Sequence, residues 1–219
     1  MIMKDFGLYI VMTAPELGYR RFTEICVQEE VPILQLREKE MSNLELIALA
    51  RELAAICAGS NTRFIINDRA DLCRLADADG LHLGPTDMPW QKARELLPEN
   101  KVVGVSTHSI AAAKHLISVI QKGGDLKAPD YMSFGPIYPT VAKKVPDLPV
   151  GTSDLRKVIE IAPIPVVAIG GIFPHNTPEV CATGAKNISM IRHFGSSLNK
   201  AELVGKILEF KQLLKENSR

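Results

Sequence analysis

Short apolar runs with strand-like alternation recur along the chain, and most lead into a segment of helical period. The runs are GLYIVM (7–12), PILQLR (32–37), RFIIND (63–68), GLHLG (80–84), KVVGVS (101–106), DYMSFG (130–135), IPVVAIGG (164–171) and KNISMI (186–191). Residues 43–57 carry Leu46, Leu49, Ala50, Leu53 and Ile56 at a spacing of about 3.6, which predicts a helix. Ser42 is its N-cap, with Glu45 three residues on to complete a capping box. Ser109 opens a second helix, IAAAKHLISVIQ, which Gly123 and Gly124 close. Thr152, Ser153 or Asp154 is expected to cap LRKVIEI, and a last helix spans roughly 200–215. Repeated strand–helix alternation predicts a parallel α/β fold. An open doubly wound sheet and a closed barrel both satisfy it. The count of eight runs, in a chain near the lower size limit for such barrels, favours a single (β/α)8 TIM barrel, read as one domain over 1–219. The longest irregular stretch, 136–152, holds four prolines and reads as a functional loop after the sixth strand.

The second run ends in a burst of charge. In extended chain Gln35, Arg37 and Lys39 share one face, while Leu34, Leu36 and Glu38 share the other. A face with one amide and two cations either meets water or meets an anion.

Bulk charge does not explain it. The chain has 219 residues, 26 basic and 25 acidic, for a net charge of +1. Neither a basic field for nucleic acid nor an acidic tail is present, so anion recognition must be local. Cys26, Cys57, Cys73 and Cys181 are dispersed in apolar contexts with no C-x-x-C pair, which predicts buried, reduced thiols. No apolar run is long enough for a membrane span or a signal-peptide core, so a cytoplasmic protein is expected.

In a TIM barrel the chemistry belongs at the C-terminal ends of the strands, and polar residues collect there. Asn67 and Asp68 end the third run, Asp87 follows the fourth, Ser106 and His108 the fifth, Thr140 and Lys143 the sixth, and Gly170–Gly171 the seventh. The N-terminal ends show little of this. Asp68 and Asp87 could hold Mg²⁺, an ion that keeps much of its water. Arg37, Lys39 and Lys143 could surround a pyrophosphate, and Gly170–Gly171 could turn backbone N–H groups toward a phosphate. Together these suggest two phosphorylated ligands. Each residue also has a plainer reading: Asp68 as a helix cap, Lys143 and Lys144 as a solvated loop, and His82, His108 and His115 as packed core histidines. His108, near a strand end, could instead shuttle protons.

With these residues in place, the chain resembles the thiamine phosphate synthase and thiazole tautomerase superfamily. The matching strings, in order, are QLREK (35–39), IINDRADL (65–72), ADGLHLGPTD (78–87), GVSTHS (104–109), DYMSFGPIYPT (130–140), KK (143–144) and PVVAIGGI (165–172). The resemblance implies a TIM barrel and a transferase. The reaction would be Mg²⁺-dependent coupling of hydroxymethylpyrimidine pyrophosphate with hydroxyethylthiazole phosphate, with release of pyrophosphate. It implies that Gln35, Arg37, Lys39 and Asn67 meet the pyrimidine pyrophosphate, that Asp68 and Asp87 bind Mg²⁺, and that Ser106 faces the pyrimidine. Thr140 and Lys143 would meet the ligand phosphates, and Gly171 the thiazole phosphate. Lys143, Ser106, Arg37 and His108 form the candidate catalytic set. A thiazole tautomerase, with His108 as proton shuttle, and a non-catalytic binder of thiamine precursors are the alternatives. The expected partners are the two small phosphorylated substrates, with neither nucleic acid nor membrane; a homo-oligomer is compatible with the sequence.

The chain departs from the family pattern at Ala128-Pro129, where Gly-Ala is usual before the sixth strand, and in two further places near the second substrate. Thr140-Val141-Ala142-Lys143 lacks one hydroxyl of the usual Thr-x-Thr-Lys, and Arg192-His193-Phe194 stands where small residues are usual. Arg192 could bind the thiazole phosphate directly, fill its pocket, or form a surface ion pair.

Overall fold

The computed structural model describes residues 5–123, 127–140 and 147–217. Eight parallel strands close into a barrel in sequence order: β1 (Leu8–Met12), β2 (Ile33–Leu36), β3 (Arg63–Asn67), β4 (Gly80–Leu83), β5 (Val102–Thr107), β6 (Tyr131–Phe134), β7 (Val166–Ile169) and β8 (Asn187–Met190). The ring shuts by pairing β1 with β8, Tyr9 beside Ser189. The eight-stranded barrel predicted from the apolar runs is therefore the fold.

Helices cover the outside: α1 (Tyr19–Gln28), α2 (Asn43–Cys57), α3 (Ala70–Leu75), α4 (Trp90–Leu96), α5 (Ile110–Gln121), α6 (Gly151–Ile161), α7 (Thr177–Cys181), α8 (Arg192–Gly195) and α9 (Lys200–Glu216). Ser42 caps α2 in a full capping box with Glu45, and the Ala112 N–H donates to Ser109 Oγ at the start of α5. Gly123 follows α5 at φ +72°, the left-handed conformation expected after a helix end. The expected cap of α6 is corrected. The helix starts at Gly151, and no side chain of Thr152, Ser153 or Asp154 caps it. Instead the Val150 and Gly151 N–H groups donate to the Pro136 and Ile137 carbonyls, so the loop after β6 satisfies the orphan donors.

Strand alternation sorts the interior into two cores. Outward residues such as Ile10, Leu34, Phe64, Leu81 and Val103 pack under the helices in one large apolar cluster. Inward residues Tyr9, Val11, Ile33, Ile65, Val102, Tyr131 and Val167 fill the barrel itself. All four cysteines are free and buried, as expected.

The N-terminal end is more polar than the sequence suggested. Arg94 Nη2 meets Asp130 Oδ2 at 2.6 Å with both side chains buried, Asp130 also accepts the Val103 N–H, and Arg94 donates to the Lys101 and Ala128 carbonyls. Arg94 Nε alone has no partner among the described residues, and the other bonds tie α4, β5 and the segment before β6 together at the base of the barrel. His115 is also corrected: it lies exposed on α5, not in a core.

Candidate active site

A cavity of about 960 Å³ opens at the C-terminal mouth of the barrel. Gln35, Arg37, Lys39, Asn67, Asp68, Asp87, Ser106, His108, Thr140, Gly171 and Arg192 all line it, so the residues singled out along the sequence meet in one place. Lys143 lies outside the described residues.

The charged end of β2 follows from alternation. Gln35 points inward and is buried, Arg37 is half-buried one step higher, and Lys39 is exposed at the rim. Glu38 leans the other way, accepting from Tyr19 Oη and from the Lys39 and Glu40 N–H groups, which stiffens the loop that carries both cations.

Asp68 and Asp87 come from the ends of neighbouring strands. Asp68 adopts φ +64°, a left-handed conformation that Asp tolerates better than most residues, and its N–H donates to the His82 carbonyl. It does not cap α3, whose cap position is Arg69, so the plainer reading fails. Asp87 Oδ2 accepts the Gly84 N–H at 2.7 Å, which folds its loop back over the mouth. Burial, and then the adjacent Asp87 carboxylate, raise the Asp68 pKa, while Lys39, at 3.2 Å from Asp68 Oδ2, pulls it down. A cation between the two carboxylates would relieve the cost of charge on Asp68. Among the described residues no cluster of three or more His, Cys, Asp or Glu could hold a metal by itself. An ion such as Mg²⁺, whose remaining positions are filled by water and substrate oxygens, would suit this pair.

The opposite wall is built by β7 and β8. Gly170 and Gly171 follow β7 at φ +97° and +66°. A Cβ on Gly170 would lie 2.4 Å from Pro136 Cβ, and one on Gly171 would lie 2.8 Å from the Pro139 carbonyl oxygen. The glycines thus have a packing role: they let the loop after β6 press against β7, with the Tyr138 N–H donating to the Gly170 carbonyl. A 3₁₀ turn, Pro174–Asn176, leads from there into α7. Arg192 is exposed at the start of α8 and sits over the Phe173 ring at 5.8 Å from its centroid. His193 and Phe194 turn away from the mouth, with Phe194 fully buried against Phe210.

His108 is half-buried and its Nδ1 lies 2.7 Å from the Gly135 carbonyl oxygen. That contact assigns the proton to Nδ1 in the neutral ring. In the sequence His82 reads as a packed histidine. It is buried and fully hydrogen-bonded, to Tyr131 Oη at 2.9 Å and Ser106 Oγ at 2.8 Å, yet it also lines the cavity. Tyr9, Ser133 and Ser189 line it too and were not singled out. Each occupies an inward position of its strand, below the strand ends, and that position is its signal in the sequence.

A model of the family described as thiamine monophosphate synthase matches residues 8–194. A thiamine-phosphate synthase of Methanospirillum hungatei is 37% identical over 190 residues, covering 85% of this chain and 88% of that protein. One from Halalkalibacterium halodurans is 37% identical over 192 residues, with 86% and 87% covered. The solved thiamine phosphate pyrophosphorylase of Pyrococcus furiosus superposes with a TM-score of 0.82 at 28% identity, covering 97% of each chain. With the family model matching residues 8–194 and relatives 37% identical over most of their length, the chain belongs to the thiamine monophosphate synthase family.

Proposed function

We propose that this protein is a thiamine phosphate synthase, a transferase that joins hydroxymethylpyrimidine pyrophosphate to hydroxyethylthiazole phosphate. The observation that carries the proposal is the polarised cavity. Paired carboxylates with Arg37 and Lys39 stand on the β2–β4 side, and Arg192 with the glycine turn stands across from them. That arrangement suits two anionic ligands whose reactive rings meet between the two sides. The 219-residue chain is proposed to be one catalytic domain.

In this reading the C–O bond to pyrophosphate breaks first and the leaving group departs with the electron pair. The pyrimidine methylene carbon is left as a cation, and the thiazole nitrogen lone pair closes the new C–N bond. Asp68 and Asp87 would hold Mg²⁺, which neutralises charge gathering on the departing pyrophosphate. Arg37 offers a planar fork of donors to the same oxygens, Lys39 a point charge, and Asn67 an amide donor. Lys39 would exchange its ion pair with Asp68 for the substrate. Preorganised cations of this kind lower the barrier because they favour the charge-separated state. Gln35 and Ser106 would orient the pyrimidine, and Thr140 and Lys143 would steady the phosphates. Gly171 and Arg192 would take the thiazole phosphate. His108 would order the loop after β6 through the Gly135 carbonyl.

The test is a coupling assay with purified protein, both substrates and Mg²⁺. Thiamine phosphate and pyrophosphate are expected in equal amounts, and only with the metal. No product from folded protein would refute the proposal.

A further inference from the structure

A chain of hydrogen bonds runs under the cavity and joins two of its ligand-facing residues. Gln35 Nε2 donates to Tyr9 Oη at 2.5 Å, Tyr9 Oη lies 2.8 Å from Tyr131 Oη, and Tyr131 Oη lies 2.9 Å from His82 Nδ1. His82 Nε2 lies 2.8 Å from Ser106 Oγ, which also accepts from Ser133 Oγ at 3.2 Å. The links cross the barrel from β2 through β1, β6 and β4 to β5. Tyr9 and Tyr131 are essentially inaccessible, and His82 stacks on the Tyr131 ring at 5.5 Å and 18°. The space for that ring is made by Gly104, where a Cβ would fall 2.1 Å from Tyr131 Cζ.

Each phenol has one proton to give, and so does the neutral imidazole. A single direction along the chain gives every phenol and imidazole proton an acceptor within it, and a reversal at any link leaves one buried proton without an acceptor in the chain. Because the Gln35 amide nitrogen donates to Tyr9, Tyr9 gives its proton to Tyr131 and Tyr131 gives its own to His82 Nδ1. His82 is then the Nε2–H tautomer and donates to Ser106. Ser106 already accepts from Ser133, so its own proton is the one left for the cavity. At the other end, the Gln35 amide oxygen is left to accept.

We propose that Tyr9, Tyr131 and His82 form a polarity relay that sets Gln35 as an acceptor and Ser106 as a donor. The site would then select a heterocycle presenting one amino donor and one ring-nitrogen acceptor. The inference rests on the synthase reading for the identity of that ring, an aminopyrimidine. Tyr131 and His82 are positioning residues that act through Ser106.

The experiment is a double-mutant cycle of Tyr131→Phe and Ser106→Ala, read as the Kd for hydroxymethylpyrimidine pyrophosphate by calorimetry. The ¹⁵N shifts of His82 in the unmodified, ligand-free protein are recorded alongside. The Nε2–H tautomer is expected. Tyr131→Phe should weaken binding about tenfold, and less than twofold when Ser106 is already Ala, as for one polar interaction lost through Ser106. An Nδ1–H tautomer, or an equal loss in both backgrounds, would overturn the relay. If Tyr131→Phe does not fold, the His82 tautomer in the unmodified protein decides the relay on its own. Failure of the unmodified protein to bind the pyrimidine would instead defeat the synthase reading, and the tautomer would still decide the relay.

Discussion

Arg192 is where this chain differs most in chemistry from the pattern it otherwise follows. It is exposed, lines the cavity and rests on Phe173, so its guanidinium can swing to an anion without leaving a buried charge behind. Replacing Arg192 by Ser should raise the KM for thiazole phosphate about tenfold, the size of one lost charge-assisted hydrogen bond, and leave the KM for the pyrimidine unchanged. Steady-state kinetics with each substrate varied in turn checks this, and equal KM values in both proteins would make Arg192 a surface residue. At this scale most of the site was legible. Gln35, Arg37, Lys39, Asp68 and Asp87 stand at strand ends, where polar residues have no packing reason to be. His82, Tyr9 and Ser133 were not, because an inward polar residue in mid-strand looks the same in sequence whether it is packed or meets a ligand.

Among the elements, strands and long helices were readable because each carries its own period and caps. The start of α6 was not. Its N–H groups bind carbonyls of the preceding loop, a contact between segments that no local pattern reports. The same loop explains the glycine turn. Gly171→Ala would combine a left-handed φ with a Cβ 2.7 Å from Tyr138 Cβ and 2.8 Å from the Pro139 oxygen. The expected cost is roughly 2–4 kcal/mol of stability, seen as a lower denaturant midpoint. Coupling activity should fall with it as the β6 loop lifts from the cavity wall. An unshifted midpoint would mean that the two loops are not mutually braced.

For the molecule as a whole, the pH response should carry the mark of His193. Its Nε2 is buried and has no hydrogen-bond partner among the described residues, and burial, with Lys206 nearby, holds its pKa below the ordinary 6.5. The unfolded chain therefore binds the proton more readily than the native one. Stability is full above about pH 6.5 and is lost as the pH falls below it. Melting temperatures between pH 7.5 and 5.5 should fall more steeply for this protein than for His193→Phe; parallel curves would show that His193 is not the group responsible. The barrel scaffold was the most legible feature of all, since eight strand–helix repeats leave few ways to close. The polar clamp of Arg94 and Asp130 at its base was missed, because residues 36 apart in sequence give no sign that they pair.

The most direct test of the account is the Mg²⁺ dependence of coupling in this protein and in the variant with Asp68→Asn and Asp87→Asn together. The account predicts that the unmodified protein forms thiamine phosphate and pyrophosphate one for one in response to the metal. The double variant should keep its fold and lose both products at every Mg²⁺ concentration. Undiminished coupling in that variant would contradict the central claim that these two carboxylates form the metal-binding side of the active site.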